Sequence, residues 1–323
     1  MGRIVYIDSL KGLAILSVIV SHVSVFLLVG KINLLSTFVG VYMMPLFFVL
    51  SGLVITEIPN RKKLISKLAR FLSPFFCFGV FYTYLHGDNI IFFLVDKYKS
   101  GYWYLYMLSL FYLFLPLFRK NADTRHAVIY DLTVVGVIML SAKILELLVS
   151  PRFVDLFCLD WVARYWFFFV AGFLIRRYNW LPKLDKGWIL LLSFFIGVLS
   201  FIQYVKGITG YIHSATLGSV IFFILFFKRN GLYFNKLNFI FSYFGRNTLD
   251  IYCLHYYIVL FLIILFPVPW FKTDLNLLWL VVLSCGLSVI IAFLSILMGK
   301  CLHKIYWFDN VVYGKIFSKC FSH

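Results

Sequence analysis

Charge is what this 323-residue chain has least of: only 13% of its residues are Asp, Glu, Lys or Arg, about half the share usual in a soluble domain. Acidic groups are scarcer still, 13 against 30 Lys and Arg. A chain that is 63% apolar, with a mean hydropathy of +0.94, cannot clothe a water-facing surface with so few charges. Segments of about ten residues that alternate apolar and polar are also missing, which excludes an outer-membrane β-barrel. The six cysteines show no CxxC and no Cys/His cluster with ligand spacing, so neither a disulfide framework nor a metal centre is expected. No linker, low-complexity tract or soluble segment divides the chain, and residues 1–323 are taken as a single domain.

In place of charge the chain has long apolar runs from one end to the other. They predict an all-α, polytopic transmembrane bundle of about ten spans. Hydropathy places these near 10–30, 34–55, 71–86, 102–118, 127–149, 163–175, 188–205, 212–227, 247–266 and 275–298. The sixth is short and is expected to tilt or to reach back toward Trp161. The first carries Asp8 and Lys11 at its head and no small-residue cleavage site, so it is read as retained. Most Lys and Arg fall before the first span, in the even-numbered connections (Arg61 to Arg70, Arg119 to Arg125, Arg176 to Lys186, Lys228 to Arg246) and in the tail. That bias puts both termini in the cytoplasm and accounts for the +17 net charge without nucleic acid. The tail, residues 299–323, spaces apolar groups among lysines as a helix lying in the cytoplasmic interface would.

Polar residues inside the spans are the candidates for chemistry. His22 lies eleven residues after Lys11, which is about three helical turns, so the two share a face roughly 16 Å apart along the axis. Two readings stand for each: Lys11 marks topology or binds an anion, and His22 makes a helix–helix hydrogen bond or abstracts a proton. Asp8, roughly 20 Å from His22 along the helix, is assigned to Lys11 or the basic mouth. Lys67 and Arg70 are topology cations or phosphate partners. Ser51-Gly52 permits close helix packing or contributes to a site. His255 is structural or hydrogen-bonds a substrate, and Trp103 and Tyr104 belong to an aromatic belt or form a sugar platform. Lys143 and Glu146, one turn apart, are expected to neutralise each other. Residues 47–55 and 168–175 are loosely alike (Phe-Phe-Val-Leu-Ser-Gly against Phe-Phe-Val-Ala-Gly), with one gap and mostly aromatic identities, too little for an internal repeat.

Several of these segments together resemble the membrane-bound acyltransferase-3 family. Asp8-Ser9-Leu10-Lys11-Gly12 followed by His22 is similar to that family's first helix, a basic residue, ten others and a histidine. Phe47-Phe48-Val49-Leu50-Ser51-Gly52 resembles its Phe-Phe-x-x-Ser-Gly element, and Lys67-Leu68-Ala69-Arg70 ahead of Pro74 its Arg-x-x-Arg-then-Pro element. Trp103-Tyr104-Leu105, opening the fourth span, resembles the family's Trp-Phe-Leu. Gly245-Arg246-Asn247-Thr248-Leu249, through Tyr252 to His255, resembles its late Gly-x-x-Ser-Leu-x-x-Tyr-x-x-His segment. Lys11 and Lys67 depart from the family's arginines, keeping the charge but losing the bidentate fork.

The resemblance implies O-acyl transfer, commonly of acetyl, from cytoplasmic acyl-CoA to a hydroxyl of a surface polysaccharide or lipid-linked glycan. On it, His22 is the general base or, as an alternative, a transient acyl carrier, with Lys11 and Asp8 at the cytoplasmic mouth of the same helix. Lys11, Lys67 and Arg70 hold the phosphates of acetyl-CoA, while Ser51, Trp103, Tyr104 and His255 face the acceptor. The partners are the lipid bilayer, the acyl donor and the glycan; oligomeric state is open. The competing classes are a transporter or flippase and a glycan-binding scaffold of the same fold. Transporters show paired, Gly- or Pro-broken helices in two halves. Here the prolines mark span ends (Pro116, Pro151, Pro267, Pro269), except for Pro45 and Pro74.

Overall fold

A computed structural model describes residues 4–120, 125–230, 235–266 and 275–316. Arg3, Lys272, Pro267, Pro269, Lys319 and Cys320 lie outside the described residues, and so does the last part of the tail. Every regular element among the described residues is helical. Among the described residues nine helices are long and apolar enough to cross a bilayer, and the shorter apolar helix Trp103–Leu117 stands where a tenth span was expected. The chain is a multi-pass membrane protein.

The longer helices are α1 (Val5–His22), α2 (Leu34–Leu53), α3 (Arg61–His86), α4 (Trp103–Phe114), α5 (Arg125–Leu148), α6 (Leu159–Arg177), α7 (Gly187–Val205), α8 (Ile212–Asn230), α9 (Asn235–Arg246), α10 (Thr248–Leu265) and α11 (Leu277–Lys304). Their ends differ from hydropathy where polar residues prolong a helix beyond its apolar stretch. Residues 61–70 were expected as a loop and are the first turns of α3. Asn60 caps it by accepting a 2.9 Å hydrogen bond from the Lys63 amide, and Lys and Arg propagate helix well. The sixth span starts at Leu159, before Trp161, and is preceded by the short helix Pro151–Phe157. The last span runs on through Lys304.

The chain forms two compact units, Met1–Leu50 with Trp180–Gly299, and Ser51–Asn179 with Lys300–His323. In the first, α1 lies along α9. Gly12 and Gly245 meet at that crossing: a Cβ on Gly12 would stand 1.9 Å from the Phe241 carbonyl oxygen, and one on Gly245 1.7 Å from that of Asp8. Ser9, wholly buried, ties the same two helices by donating to the Asn238 carbonyl at 3.1 Å. α7 and α8 cross at Gly197 and Gly218 in the same manner, a Cβ on Gly218 standing 2.5 Å from the Gly197 amide nitrogen. Beside them, Phe38 and Val41 of α2 close an apolar cavity of about 200 Å³ with Phe194, Phe201, Phe222 and Phe223.

In the second unit α3 and α4 run antiparallel, with ring contacts of Phe71 on Tyr112, Phe75 on Tyr106 and Tyr82 on Tyr102. Gly52 abuts α6 so closely that a Cβ would stand 2.0 Å from the Phe169 carbonyl oxygen. The two loosely similar segments of the sequence are thereby packed on one another at Gly52 and Phe169–Phe173. Among the described residues beyond α11 lies the short helix Tyr306–Val311, after which Gly314, at φ 64°, comes against the Ala69 carbonyl of α3.

Gly12→Ala should lower the melting temperature in detergent by the equivalent of about 1–3 kcal/mol, because backbone, not a flexible side chain, occupies the space. Gly40→Ala on α2, with nothing within 4 Å, should leave it unchanged or slightly raised. Equal melting temperatures for Gly12→Ala and the parent would show that the crossing does not hold the fold.

Candidate functional site

His22 is the last residue of α1, and from Val23 to Val29 the chain continues as a π-helix that ends at Gly30, φ 75°. The Gly30 amide reaches the Val25 carbonyl at 2.8 Å, five residues back, the wide π hydrogen bond. π turns cost hydrogen-bond geometry and cluster at functional positions. The half-buried His22 ring stacks on Phe26 at 5.5 Å and on His255 at 5.5 Å. Its Nε2 is 2.9 Å from the Tyr256 hydroxyl oxygen. Two of the residues singled out in the sequence, 233 positions apart, are thus brought ring to ring within one unit.

His255 is wholly buried. Its Nδ1 lies 2.9 Å from both the Ile251 and Tyr252 carbonyl oxygens. Carbonyls only accept, so this nitrogen carries the hydrogen and Nε2 the lone pair. Among the described residues Nε2 has no hydrogen-bond partner. A buried acceptor without a donor is costly and rare, and it marks a place where a donor from outside the protein would be stabilised.

Asp8 and Lys11 are half-buried on the first turns of α1 and flank the Gly12–Gly245 crossing, with the exposed Arg246 next in sequence to Gly245. Lys67 and Arg70 are exposed on α3 of the second unit, near the end of the α3–α4 pair where Phe71 meets Tyr112. Trp103 is at the other end, about 16 Å away by the rise from Phe71 to Tyr82. Its indole lies 4.0 Å from Trp161 and 5.4 Å from Tyr165. Lys97 covers Trp161 at 5.3 Å and is ion-paired to Asp160. Partial burial would lower the Lys97 ammonium, but the hydrogen bond and charge of Asp160 outweigh it and hold the group above its usual range. Tyr104 is buried, and its hydroxyl hydrogen-bonds Ser51 at 2.8 Å. The second unit therefore brings Ser51 and Tyr104 together and sets Lys67 and Arg70 apart from Trp103.

Other polar groups were not singled out by sequence. Tyr256 is one; its only signal was adjacency to His255. Asp131, wholly buried in α5, is another. It pairs with Arg177 at 2.9 Å and accepts from the Tyr178 hydroxyl at 2.7 Å, while its Oδ1 has no partner among the described residues. An acidic residue inside an apolar span was the signal available for it. Lys99 is also buried, its ammonium donating to the carbonyls of Leu94, Asp96 and Asp155 at 2.6 to 3.0 Å, a plug that packing supports and periodicity does not reveal. Lys143 and Glu146 do pair, at 2.8 Å. Among the described residues no three His, Cys, Asp or Glu converge as metal ligands would.

A family model described as an acyltransferase domain, acyltransferase 3, matches residues 4–297. The chain belongs to the acyltransferase 3 family. That membership carries acyltransferase activity, with an acyl donor and an acceptor, and it covers both compact units; residues 298–323 fall beyond the match. No individual curated protein and no solved structure is detectably similar to this acyltransferase-family chain.

Asp131→Ala should destabilise the protein by about 3–5 kcal/mol, since it strands the Arg177 guanidinium. Thermal unfolding in detergent measures it; a loss under ~1 kcal/mol would mean that water already reaches the pair.

Proposed function

We propose that this membrane protein is an O-acyltransferase that moves an acyl group, acetyl in the simplest case, from cytoplasmic acyl-CoA to a hydroxyl of a surface polysaccharide or lipid-linked glycan. The observation that carries the reading is His22: an imidazole placed mid-helix at a π turn, touching a second imidazole and a phenol, in a chain of an acyltransferase family. Imidazole is the side chain best matched to taking a proton from an alcohol near neutral pH.

In this mechanism the acceptor hydroxyl gives its proton to His22 while its oxygen attacks the thioester carbonyl carbon. The tetrahedral intermediate collapses, the C–S bond breaks, and the sulfur leaves with the proton that His22 returns. CoA departs as the free thiol and the new ester as product. His255 Nε2, a lone pair with no donor among the described residues, accepts a hydrogen bond from a second hydroxyl of the acceptor, which suits a polyol such as a sugar. Ser51, Trp103 and Tyr104 are assigned to the acceptor as well. Lys11, Lys67 and Arg70 supply charge to the CoA phosphates, Asp8 tunes that mouth, and the cation bias of the sequence supports a cytoplasmic side for both termini.

His22→Ala should abolish acetyl-CoA turnover by purified protein while membrane insertion stays intact; near-normal turnover rejects His22 as the base. Mass spectrometry of surface glycans from cells with and without the gene identifies the acceptor. Lys11→Ala should weaken acetyl-CoA binding more than Lys11→Arg does, because a phosphate contact needs charge before geometry. Equal donor affinities in the two variants count against that contact.

A further inference from the structure

The contact between His22 and Tyr256 restricts which nitrogen of His22 can act. Tyr256 is held in place by its neighbours on α10. The preceding residue, His255, is pinned through Nδ1 to two carbonyls of its own helix, and its ring lies 4.3 Å from that of Tyr256. The phenol is tilted 45° to the His22 ring at 4.8 Å, with its oxygen 2.9 Å from Nε2. Nε2 is thereby committed to the protein. Nδ1 of His22 makes no hydrogen bond among the described residues.

We propose that Tyr256 is a positioning residue for His22: its hydroxyl oxygen accepts the Nε2–H, so that Nδ1 holds the lone pair that takes the acceptor's proton. This rests on the acyl-transfer reading above. The opposite polarity, with Tyr256 donating to Nε2, would put the ring hydrogen on Nδ1 and leave His22 with no free lone pair.

The proton balance follows from that geometry. The alcohol proton moves to Nδ1 as the alcohol oxygen bonds to the carbonyl carbon, and the ring becomes an imidazolium. Its Nε2–H···O bond to Tyr256 then becomes charge-assisted and strengthens, where it was an ordinary neutral bond before. When the C–S bond breaks, the same proton passes from Nδ1 to the departing sulfur. Tyr256 keeps its own proton and forms no covalent bond. Stabilisation that grows only as charge develops lowers the barrier without tightening ground-state binding. The titratable groups whose rings contact His22 among the described residues are His255 and Tyr256, and Tyr252 stands behind His255 at 6.1 Å. Lys11 is the cation on the same helix, roughly 16 Å along the axis.

The experiment uses the full chain in lipid nanodiscs, with nitrogen-15 histidine labelling and His22→Gln to assign the His22 signals. Acetyl-CoA is the donor probe, with an added polyol or water taking the acetyl group, and turnover is read as free thiol released. The parent protein should show His22 as the Nε2–H tautomer, and Tyr256→Phe a mixture of both tautomers. Tyr256→Phe should lower kcat by about tenfold to a hundredfold, the loss of one hydrogen bond to a charged group, with KM for acetyl-CoA within about twofold. A merely structural role would lower the melting temperature and leave the tautomer unmoved. His22 found as the Nδ1–H tautomer in the parent overturns the proposal, and that reading does not depend on Tyr256→Phe folding. Parental kcat in folded Tyr256→Phe overturns it too. A parent protein that shows the Nε2–H tautomer but turns over no acetyl-CoA defeats the acyl-transfer reading instead.

Discussion

The close approach of helix backbones is the constraint on which the rest of this structure depends. Between helices in lipid there is no hydrophobic gain, since the tails are as apolar as leucine, and association comes from packing and hydrogen bonds. Packing of that kind needs positions where two backbones touch, and only glycine allows carbonyl oxygens as near as those of Phe241 and Asp8 at Gly12 and Gly245. The crossing joins the first helix to one more than 220 residues later. It fixes the start of α1 against the end of α9, from which the chain turns directly into α10 and its histidine. The Gly197–Gly218 contact does the same for α7 and α8, and Gly52 does it for the second unit. Three contacts of one physical type thus frame both units.

Much of this was legible in the sequence because the bilayer makes hydropathy a geometric signal. A span must be long enough to cross and almost free of charge, so ten apolar stretches translated, among the described residues, into nine long helices and one short one. What hydropathy could not show was where a helix continues past the bilayer. Lys62, Lys63, Lys67 and Arg70 stop an apolar window but not a helix, and α3 runs straight through them from an Asn60 cap. The tail shows the same limit at Lys300 and Lys304. Membrane exit and helix termination are separate physical events, and only the first is written in hydrophobicity.

The site was legible to the extent that its residues were anomalies. His22 and His255 are polar groups in apolar helices, and each stood out for that reason alone. Their meeting did not, because pairing of α1 with α10 is a tertiary outcome with no local period. Gly12 and Gly245 were on the page as parts of two motifs, yet nothing in either motif says that one glycine packs against the other. Tyr256 is less visible still: among 21 tyrosines in a chain that is 21% aromatic, one more phenol carries no signal. Lys99 and Asp131 show the reverse case. Both are charges whose burial is answered by neighbours, carbonyls for one and Arg177 with Tyr178 for the other, and spacing alone does not separate such plugs from a reacting group.

Hydrogen-bond accounting does separate them. The backbone of a membrane helix satisfies itself, so any side-chain donor or acceptor must find a partner among other side chains or among spare carbonyl lone pairs. Ser17, Thr216, Ser288 and Ser295 each take the carbonyl four residues back and are thereby silent. Lys99 exhausts its three donors on three carbonyls. The two histidines cannot be closed in this way, because a neutral imidazole has one donor and one acceptor on opposite sides of a rigid ring. His255 spends its donor on α10 and keeps its acceptor. His22 spends one nitrogen on Tyr256 and keeps the other. Two rings 5.5 Å apart, each with one nitrogen committed and one not, form a place where the fold has left hydrogen-bonding capacity unspent in a medium that penalises it.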